Sequence, residues 1–196
     1  TKRDYSMAKY CFEKAAKENI GCSNMRLGLL YYYGLGVEID YEKAKEYLEK
    51  SAMKKNPEAL LQIGEMYFDG KGVEKNISKS KEYFELSASE GYSEAMVRLG
   101  FLYYQGLGVE KNYEKSFEFF HSAAEKENFN AYFFVALQYE NVKNVDYDIS
   151  QAIELYTKCI ENQKIFEVII KSDDGMFIEN ITKKINIIIK LLIMRD

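Results

Sequence analysis

The chain has 196 residues, of which 47% are hydrophobic and 30% are charged, and its formal net charge at pH 7 is -4. This composition supports a folded chain with a sizeable core, and the close mixing of acidic and basic residues leaves no broad cationic surface for nucleic acid. Three cysteines without metal-ligand spacing predict neither a zinc site nor a disulfide framework and favour a reducing compartment. The longest apolar run, about ten residues at 185–194, is too short for a membrane span, which needs roughly 20.

A repeat of 36 residues organises most of the sequence. Nine of the 12 glycines recur at this spacing, namely Gly28, Gly64 and Gly100; Gly34, Gly70 and Gly106; and Gly36, Gly72 and Gly108. The same register aligns tyrosines at 31, 67, 103 and 139. A unit of this length cannot bury its own apolar face, so the units are predicted to stack on one another.

In chain order, the repeat predicts an array over residues 1–160. It consists of an unpaired second helix at 4–19, helix-turn-helix units at about 23–58, 59–94 and 95–130, and a degenerate unit at 131–160. We call the first helix of a unit helix A and the second helix B. Because the array starts with a helix B, we expect a further helix A upstream of the sequence.

The two helices of a unit are joined by a Gly-x-Gly-Val turn. Its first glycine, as in Gly34, is predicted to end helix A in the left-handed conformation, which a residue without a Cβ adopts at no steric cost. Helix B is predicted to begin after a short polar residue that accepts hydrogen bonds from free amides, and these residues are Asp40, Asn76, Asn112 and Asp148.

A further glycine lies inside helix A, at Gly28, Gly64 and Gly100. A glycine within a helix costs about 0.5–1 kcal/mol relative to alanine, so its recurrence at one position requires a packing reason. We predict that it allows close approach of helix B.

Residues 161–196 depart from the repeat. Polar residues and a glycine at 171–175 predict a turn. Helical apolar spacing follows, at Ile178, Ile181, Ile185, Ile188, Ile189 and Leu192. This segment is predicted to be a C-terminal helix that caps the array, and the alternative is a helix that engages a partner or a membrane surface.

The repeat resembles the Sel-1-like repeat (SLR) family, a relative of the tetratricopeptide repeat. The residues that carry the resemblance are AMVRLGFLYYQGLGV at 95–109 and DYEKA at 40–44. The resemblance implies an all-α fold, a right-handed α-solenoid of 36-residue helix-turn-helix repeats. It also implies a non-enzymatic scaffold or adaptor for protein-protein interaction. The alternative is a regulatory or targeting arm of a larger enzyme or signalling protein whose catalytic domain lies outside these residues.

In tetratricopeptide arrays helix A lines the concave side, so the resemblance also implies a partner-binding face. By repeat position it consists of Met25, Leu29, Tyr32, Tyr33, Leu61, Glu65, Phe68, Asp69, Val97, Phe101, Tyr104, Gln105, Phe133, Leu137 and Glu140. Tyr32, Phe68 and Tyr104 would form a ladder of aromatic anchors for a protein or peptide. The alternative is that neighbouring helices cover both sides of helix A. Three acidic residues on this face, Glu65, Asp69 and Glu140, would favour a basic ligand segment.

No catalytic, metal or cofactor site is predicted. His121 is the only histidine, and its repeat equivalents are glutamates that face solvent, so neither a catalytic triad nor a histidine metal site can form. The Gly-x-Gly turns lack the lysine and the preceding strand of nucleotide-binding loops. By repeat position, Cys22 is predicted to be exposed and Cys159 to be buried.

Overall fold

A computed structural model describes residues 5–17, 22–141, 151, 152, 154–156 and 158, and every structural statement below concerns these residues. All its regular elements there are α-helices, without a strand. They are α1 (Tyr5–Lys17), α2 (Ser23–Tyr33), α3 (Tyr41–Ala52), α4 (Pro57–Asp69), α5 (Ile77–Ser89), α6 (Ser93–Gln105), α7 (Tyr113–Glu125) and α8 (Phe129–Asn141). The predicted capping helix lies outside the described residues.

The chain divides into two compact units, Thr1–Asn112 and Tyr113–Asp196. In the first unit, the helices α1 to α6 pack in chain order, each against the next. The most extensive contacts join α2 to α3 and α4 to α5, which are the A and B helices of one repeat. In the second unit, α7 packs against α8. Within the first unit, A and B helices therefore alternate in a stack.

The glycine inside helix A lies in close contact with helix B of the same hairpin. A Cβ at Gly28 would lie 2.6 Å from Leu48 Cγ, and a Cβ at Gly64 would lie 2.5 Å from Phe84 Cε1. Both partner side chains come from helix B and are buried. The predicted packing reason for this glycine is therefore confirmed in two repeats.

The first glycine of each turn adopts the predicted left-handed conformation, with φ of 67° at Gly34, 76° at Gly70 and 73° at Gly106. The second glycine has a role that the sequence analysis did not predict. Gly72 packs onto Tyr41, the first residue of the preceding helix B, and a Cβ there would lie 2.5 Å from Tyr41 Cβ. The turn of one repeat thus contacts the helix B of the repeat before it.

The residues predicted to begin helix B do so in two repeats. Asp40 accepts a hydrogen bond from the Lys43 amide at 3.0 Å, and Asn76 accepts one from the Lys79 amide at 2.9 Å. The amides of Asp40, Asn76 and Asn112 also donate to the carbonyls of Tyr31, Tyr67 and Tyr103, respectively. This second bond ties the start of helix B to the last turns of helix A. The fourth equivalent, Asp148, lies outside the described residues.

One hydrophobic cluster spans α2, α3 and α4 and therefore crosses the boundary between two repeats. It contains Met25, Tyr32, Ala44, Leu48, Ala59, Ile63, Met66 and Tyr67. Helix A of one repeat thus completes the core of the repeat before it, as expected for units that cannot bury their apolar faces alone.

A buried serine offers a test of core packing. Ser80 is fully buried, and within the described part of the chain its Oγ has no hydrogen-bond partner. Alanine occupies the equivalent position in the preceding repeat, at Ala44. We expect Ser80→Ala to stabilise the protein by about 1 kcal/mol, because folding strips this hydroxyl of its hydrogen bonds to water without replacing them. Thermal unfolding followed by circular dichroism measures the change.

The matched control is Ser116→Ala at the next equivalent position. Ser116 Oγ accepts a hydrogen bond from Gln138 Nε2 at 3.1 Å, so its removal should destabilise the protein although the helix gains the same alanine. A melting temperature that falls in both variants would contradict this description of Ser80.

Candidate functional site

The predicted partner-binding face divides between the two units. Twelve of its residues lie on α2, α4 and α6 in the first unit, whereas Phe133, Leu137 and Glu140 lie on α8 in the second. The side chain of Glu140 is outside the described set.

Burial corrects part of the predicted face. Five of its residues are less than a tenth exposed and belong to the core, namely Met25, Tyr32, Val97, Phe133 and Leu137. Tyr32, the first rung of the predicted ladder, meets the ring of Tyr41 edge-on at 5.3 Å and joins the cluster between α2, α3 and α4. At these positions neighbouring helices cover helix A, which was the alternative interpretation.

Tyr33, the next residue along the chain, is accessible to solvent, whereas Tyr32 is buried. Tyr33 is 56% exposed, and its ring lies edge-on to that of Tyr32 at 4.8 Å. Phe68 and Tyr104 are half-buried. We define the helix-A surface as the accessible or partly accessible members of the predicted face in the first unit, which are Leu29, Tyr33, Leu61, Glu65, Phe68, Asp69, Phe101, Tyr104 and Gln105.

Two ion pairs lie on this surface. Arg98 Nε is 2.5 Å from Glu65 Oε1, and Lys71 Nζ is 2.9 Å from Asp69 Oδ2. Both carboxylates therefore have a cationic partner. The two acids were predicted without their partners, and a preference for a basic ligand does not follow from this balanced arrangement.

Glu65 is less accessible than Arg98, its partner in the ion pair. Its side chain is 18% exposed, against 52% for Arg98. Burial raises the pKa of the Glu65 carboxyl above its ordinary value, and the opposing charge of Arg98 is the main influence in the other direction. A hydrogen bond from Arg98 to this carboxylate also lowers the pKa.

The groups around Tyr32 hold fixed protonation states near neutral pH. Burial raises the pKa of the Tyr32 hydroxyl to about 12, so the phenol stays neutral. A hydrogen bond to Asp69 raises the pKa of Lys71, whose Nζ lies 5.6 Å from the Tyr32 ring centroid, and this lysine therefore stays charged. Neither group is tuned for proton transfer at pH 7.

The histidine and the cysteines are not members of this surface. His121 is 48% exposed on α7, and its Nδ1 lies 3.6 Å from Glu125 Oε1. Cys22 is exposed, as predicted, and Cys11 is also exposed and free, whereas Cys159 is outside the described residues. No three potential metal ligands cluster in the described part of the chain, and no helix there is long and apolar enough to cross a bilayer.

The repeat is matched by a known family model. The model of the Sel1 repeat matches residues 1–20, 23–56, 57–92, 93–128 and 130–162. The chain belongs to the Sel1 repeat family. The predicted family and the all-α repeat fold are thereby confirmed. The match at 130–162 includes the segment that was predicted as a degenerate unit.

Solved structures of Sel1 repeat proteins resemble this chain. One is c5321, a protective antigen of uropathogenic Escherichia coli with an SLR fold, at 34% identity and a TM-score of 0.71. The match covers 81% of this chain and 34% of that protein, so the chain spans about a third of its length. A Sel1 repeat protein from Oxalobacter formigenes has a TM-score of 0.79 at 22% identity, covering 94% of this chain and 80% of its own. No curated protein sequence matches the chain.

The sequence did not reveal the two cationic partners of the helix-A surface, Arg98 and Lys71. Arg98 follows Glu65 by 33 residues, which places it one helical turn earlier in the next repeat. Neighbouring A helices bring these positions together. The available signal was the pair of opposite charges itself, which a search at 33-residue spacing would have found.

Proposed function

We propose that this chain is a non-enzymatic scaffold or adaptor that binds a protein or peptide segment on the helix-A surface of its first unit. Sel1 repeat proteins are generally protein-protein interaction scaffolds, and their fold is typically non-catalytic. The observation that carries the proposal is the placement of Tyr33, Phe68 and Tyr104. Each comes from a different A helix, and each is at least partly accessible.

Aromatic side chains at such positions suit binding. They offer a large contact area with few rotatable bonds, so that little conformational entropy is lost when a partner docks. A shared core holds α2 to α4, and α6 packs on α5, which together order the backbone beneath the three rings. A prearranged surface lowers the free-energy cost of association.

The chemistry of the surface supports binding more than catalysis. Its acids are paired with cations, the Tyr32 phenol remains protonated, and Lys71 remains charged near pH 7. General acid-base catalysis requires a group whose pKa lies near the working pH. Nucleophilic catalysis requires a nucleophile next to a base.

The proposal is tested with the double variant Phe68→Ala/Tyr104→Ala. We expect the immobilised variant to lose the partners that the unmodified chain retains from an extract of its native cells, while its thermal unfolding remains cooperative. The control is Met53→Ala/Leu86→Ala, which removes two apolar side chains that are 82% and 52% exposed outside the helix-A surface. Retention of the same partners by both double variants would reject this surface as the binding site.

A further inference from the structure

We propose that α1 carries a second interaction surface, which binds an acidic, amphipathic segment of a partner protein. Four residues define this α1 face, namely Met7, Tyr10, Lys14 and Lys17. They follow one another at intervals of three or four residues and therefore lie along one side of the helix. The proposal is independent of the helix-A surface, because the two surfaces share no residue.

The α1 face is apolar where the other B helices are charged. Met7 is 59% exposed and Tyr10 is 52% exposed. Their repeat equivalents are all charged and exposed, namely Lys43, Lys79 and Lys115, and Glu46, Glu82 and Glu118. Apolar residues in place of solvent-facing charges add nothing to the core, and such departures from a repeated pattern are expected at positions used for binding.

Repeat stacking does not account for this face. In α3, the equivalent residues Lys43 and Glu46 stay exposed although α2 packs against that helix. Helix A instead covers the side of α3 that carries Leu48, which is fully buried. Met7 and Tyr10 therefore lie on a side of helix B that the stack leaves in contact with solvent.

The same difference between repeats leaves Lys14 without an acidic partner. In α3, Lys50 pairs with Glu46, four residues earlier, at 2.6 Å. In α1 a tyrosine replaces this glutamate, and Lys14 Nζ lies 4.7 Å from the centroid of the Tyr10 ring instead. No carboxylate pairs with Lys14 or Lys17 in the described part of the chain. Both ammonium groups are exposed and can pair with a ligand beside the two apolar side chains.

The charge of α1 determines the class of ligand. This helix contains three lysines and one glutamate, whereas the two residue types are equal in number in α3 and in α5, and glutamates are in excess in α7. Among these four B helices, α1 is thus the cationic one. Carboxylates next to apolar side chains complement it, whereas a basic segment would meet Lys14 and Lys17 as like charges.

The residue types of the α1 face suit a protein partner. Tyrosine and methionine are enriched in protein interfaces, where the tyrosine ring contributes contact area and the flexible methionine adapts to the partner's shape. A second copy of the chain would bring the lysines of two α1 helices together if it packed through the same face. An anionic membrane would attract α1 and repel the rest of the chain, whose net charge with α1 included is -4.

The test uses an array of random 12-residue synthetic peptides, probed with the full chain and with Met7→Lys/Tyr10→Glu. This variant introduces the residue types of the other repeats. Because the introduced glutamate precedes Lys14 by four residues, the variant should melt at an equal or higher temperature. We expect a set of peptides that bind the unmodified chain and not the variant, with apolar residues one helical turn apart and a net charge of about -3.

The best peptide of this set is then measured in solution by fluorescence anisotropy. It should bind the variant used on the array about tenfold more weakly than the unmodified chain. Lys14→Gln/Lys17→Gln should weaken binding about fivefold and remove most of its dependence on NaCl between roughly 50 and 500 mM. The matched control, Lys43→Gln/Lys50→Gln, removes two exposed lysines from α3 and should leave the affinity nearly unchanged.

Several results would overturn the inference. One is an array on which no peptide distinguishes the chain from Met7→Lys/Tyr10→Glu, or on which the distinguishing peptides are basic or uncharged. Sedimentation of the chain with vesicles of phosphatidylserine and phosphatidylcholine, if lost in the variant, would identify a membrane as the occupant. A dimer in analytical ultracentrifugation that the variant dissociates would identify a second copy.

The helix-A surface is tested separately. Phe68→Ala/Tyr104→Ala should bind the peptides of the α1 face as tightly as the unmodified chain does. Peptides for the helix-A surface are enriched by phage display on Met7→Lys/Tyr10→Glu, which lacks the α1 face. A failure of one proposal is therefore distinguishable from a failure of the other.

Discussion

Gly64→Val is expected to destabilise the first unit by about 3 kcal/mol or more. The first atom of any side chain at this position would lie 2.5 Å from the Phe84 ring and 3.3 Å from the carbonyl oxygen of Ser80. Phe84 is 1% exposed and enclosed by the core, so it cannot turn away without displacing other side chains. The two branches of valine would force α4 and α5 apart.

Urea unfolding at 25 °C measures this loss, and Gln62→Val provides the control. Gln62 lies two residues earlier on the same helix and is half-buried, so its substitution reports the cost of a β-branched residue in α4 without the contact to α5. If the two variants differ by less than about 0.5 kcal/mol, the close approach of the hairpin helices at Gly64 is wrong.

Gly72→Ala is expected to cost about 2–3 kcal/mol, of which about 1 comes from the backbone and the rest from a contact between repeats. Its φ of 70° is unfavourable for any residue with a Cβ. In addition, the new Cβ would lie 2.5 Å from Tyr41 Cβ and 3.1 Å from the Tyr41 carbonyl oxygen. Tyr41 begins α3, so relief requires movement of the preceding helix B.

Gly70→Ala is the matched variant, since Gly70 has a similar φ of 76° in the same turn. A Cβ there would come no closer than 3.2 Å, to Lys75 Cβ at the surface. The free energies of unfolding, obtained from urea titrations, should therefore fall much further for Gly72→Ala. Equal losses of unfolding free energy in the two variants would show that Gly72 is needed only for the conformation of the turn.

The sequence was sufficient to predict most of the local structure. The end of helix A at Gly34 and the start of helix B at Asp40 depend on one or two residues whose conformational and hydrogen-bonding preferences act locally. The recurrence of these residues every 36 positions also indicated stacking. The packing of Gly64 against helix B followed from the cost of a glycine inside a helix.

The accessible face of helix A could not be predicted in the same way. Apolar residues surround much of α2, so its hydrophobic pattern does not distinguish Tyr32, which is buried, from Tyr33, which is exposed. The side chains of adjacent residues point about 100° apart around a helix axis. Which of the two is buried therefore depends on where the neighbouring helices pack. The pairing of Glu65 with Arg98 likewise depends on how A helices of successive repeats lie side by side.

The most direct test of the binding surface is a nuclear magnetic resonance titration of the isotope-labelled chain with a peptide enriched by phage display. We expect the largest shifts of backbone amides around Tyr33, Glu65, Phe68 and Tyr104, on three successive A helices. Shifts confined to the B helices α3 and α5 would contradict it.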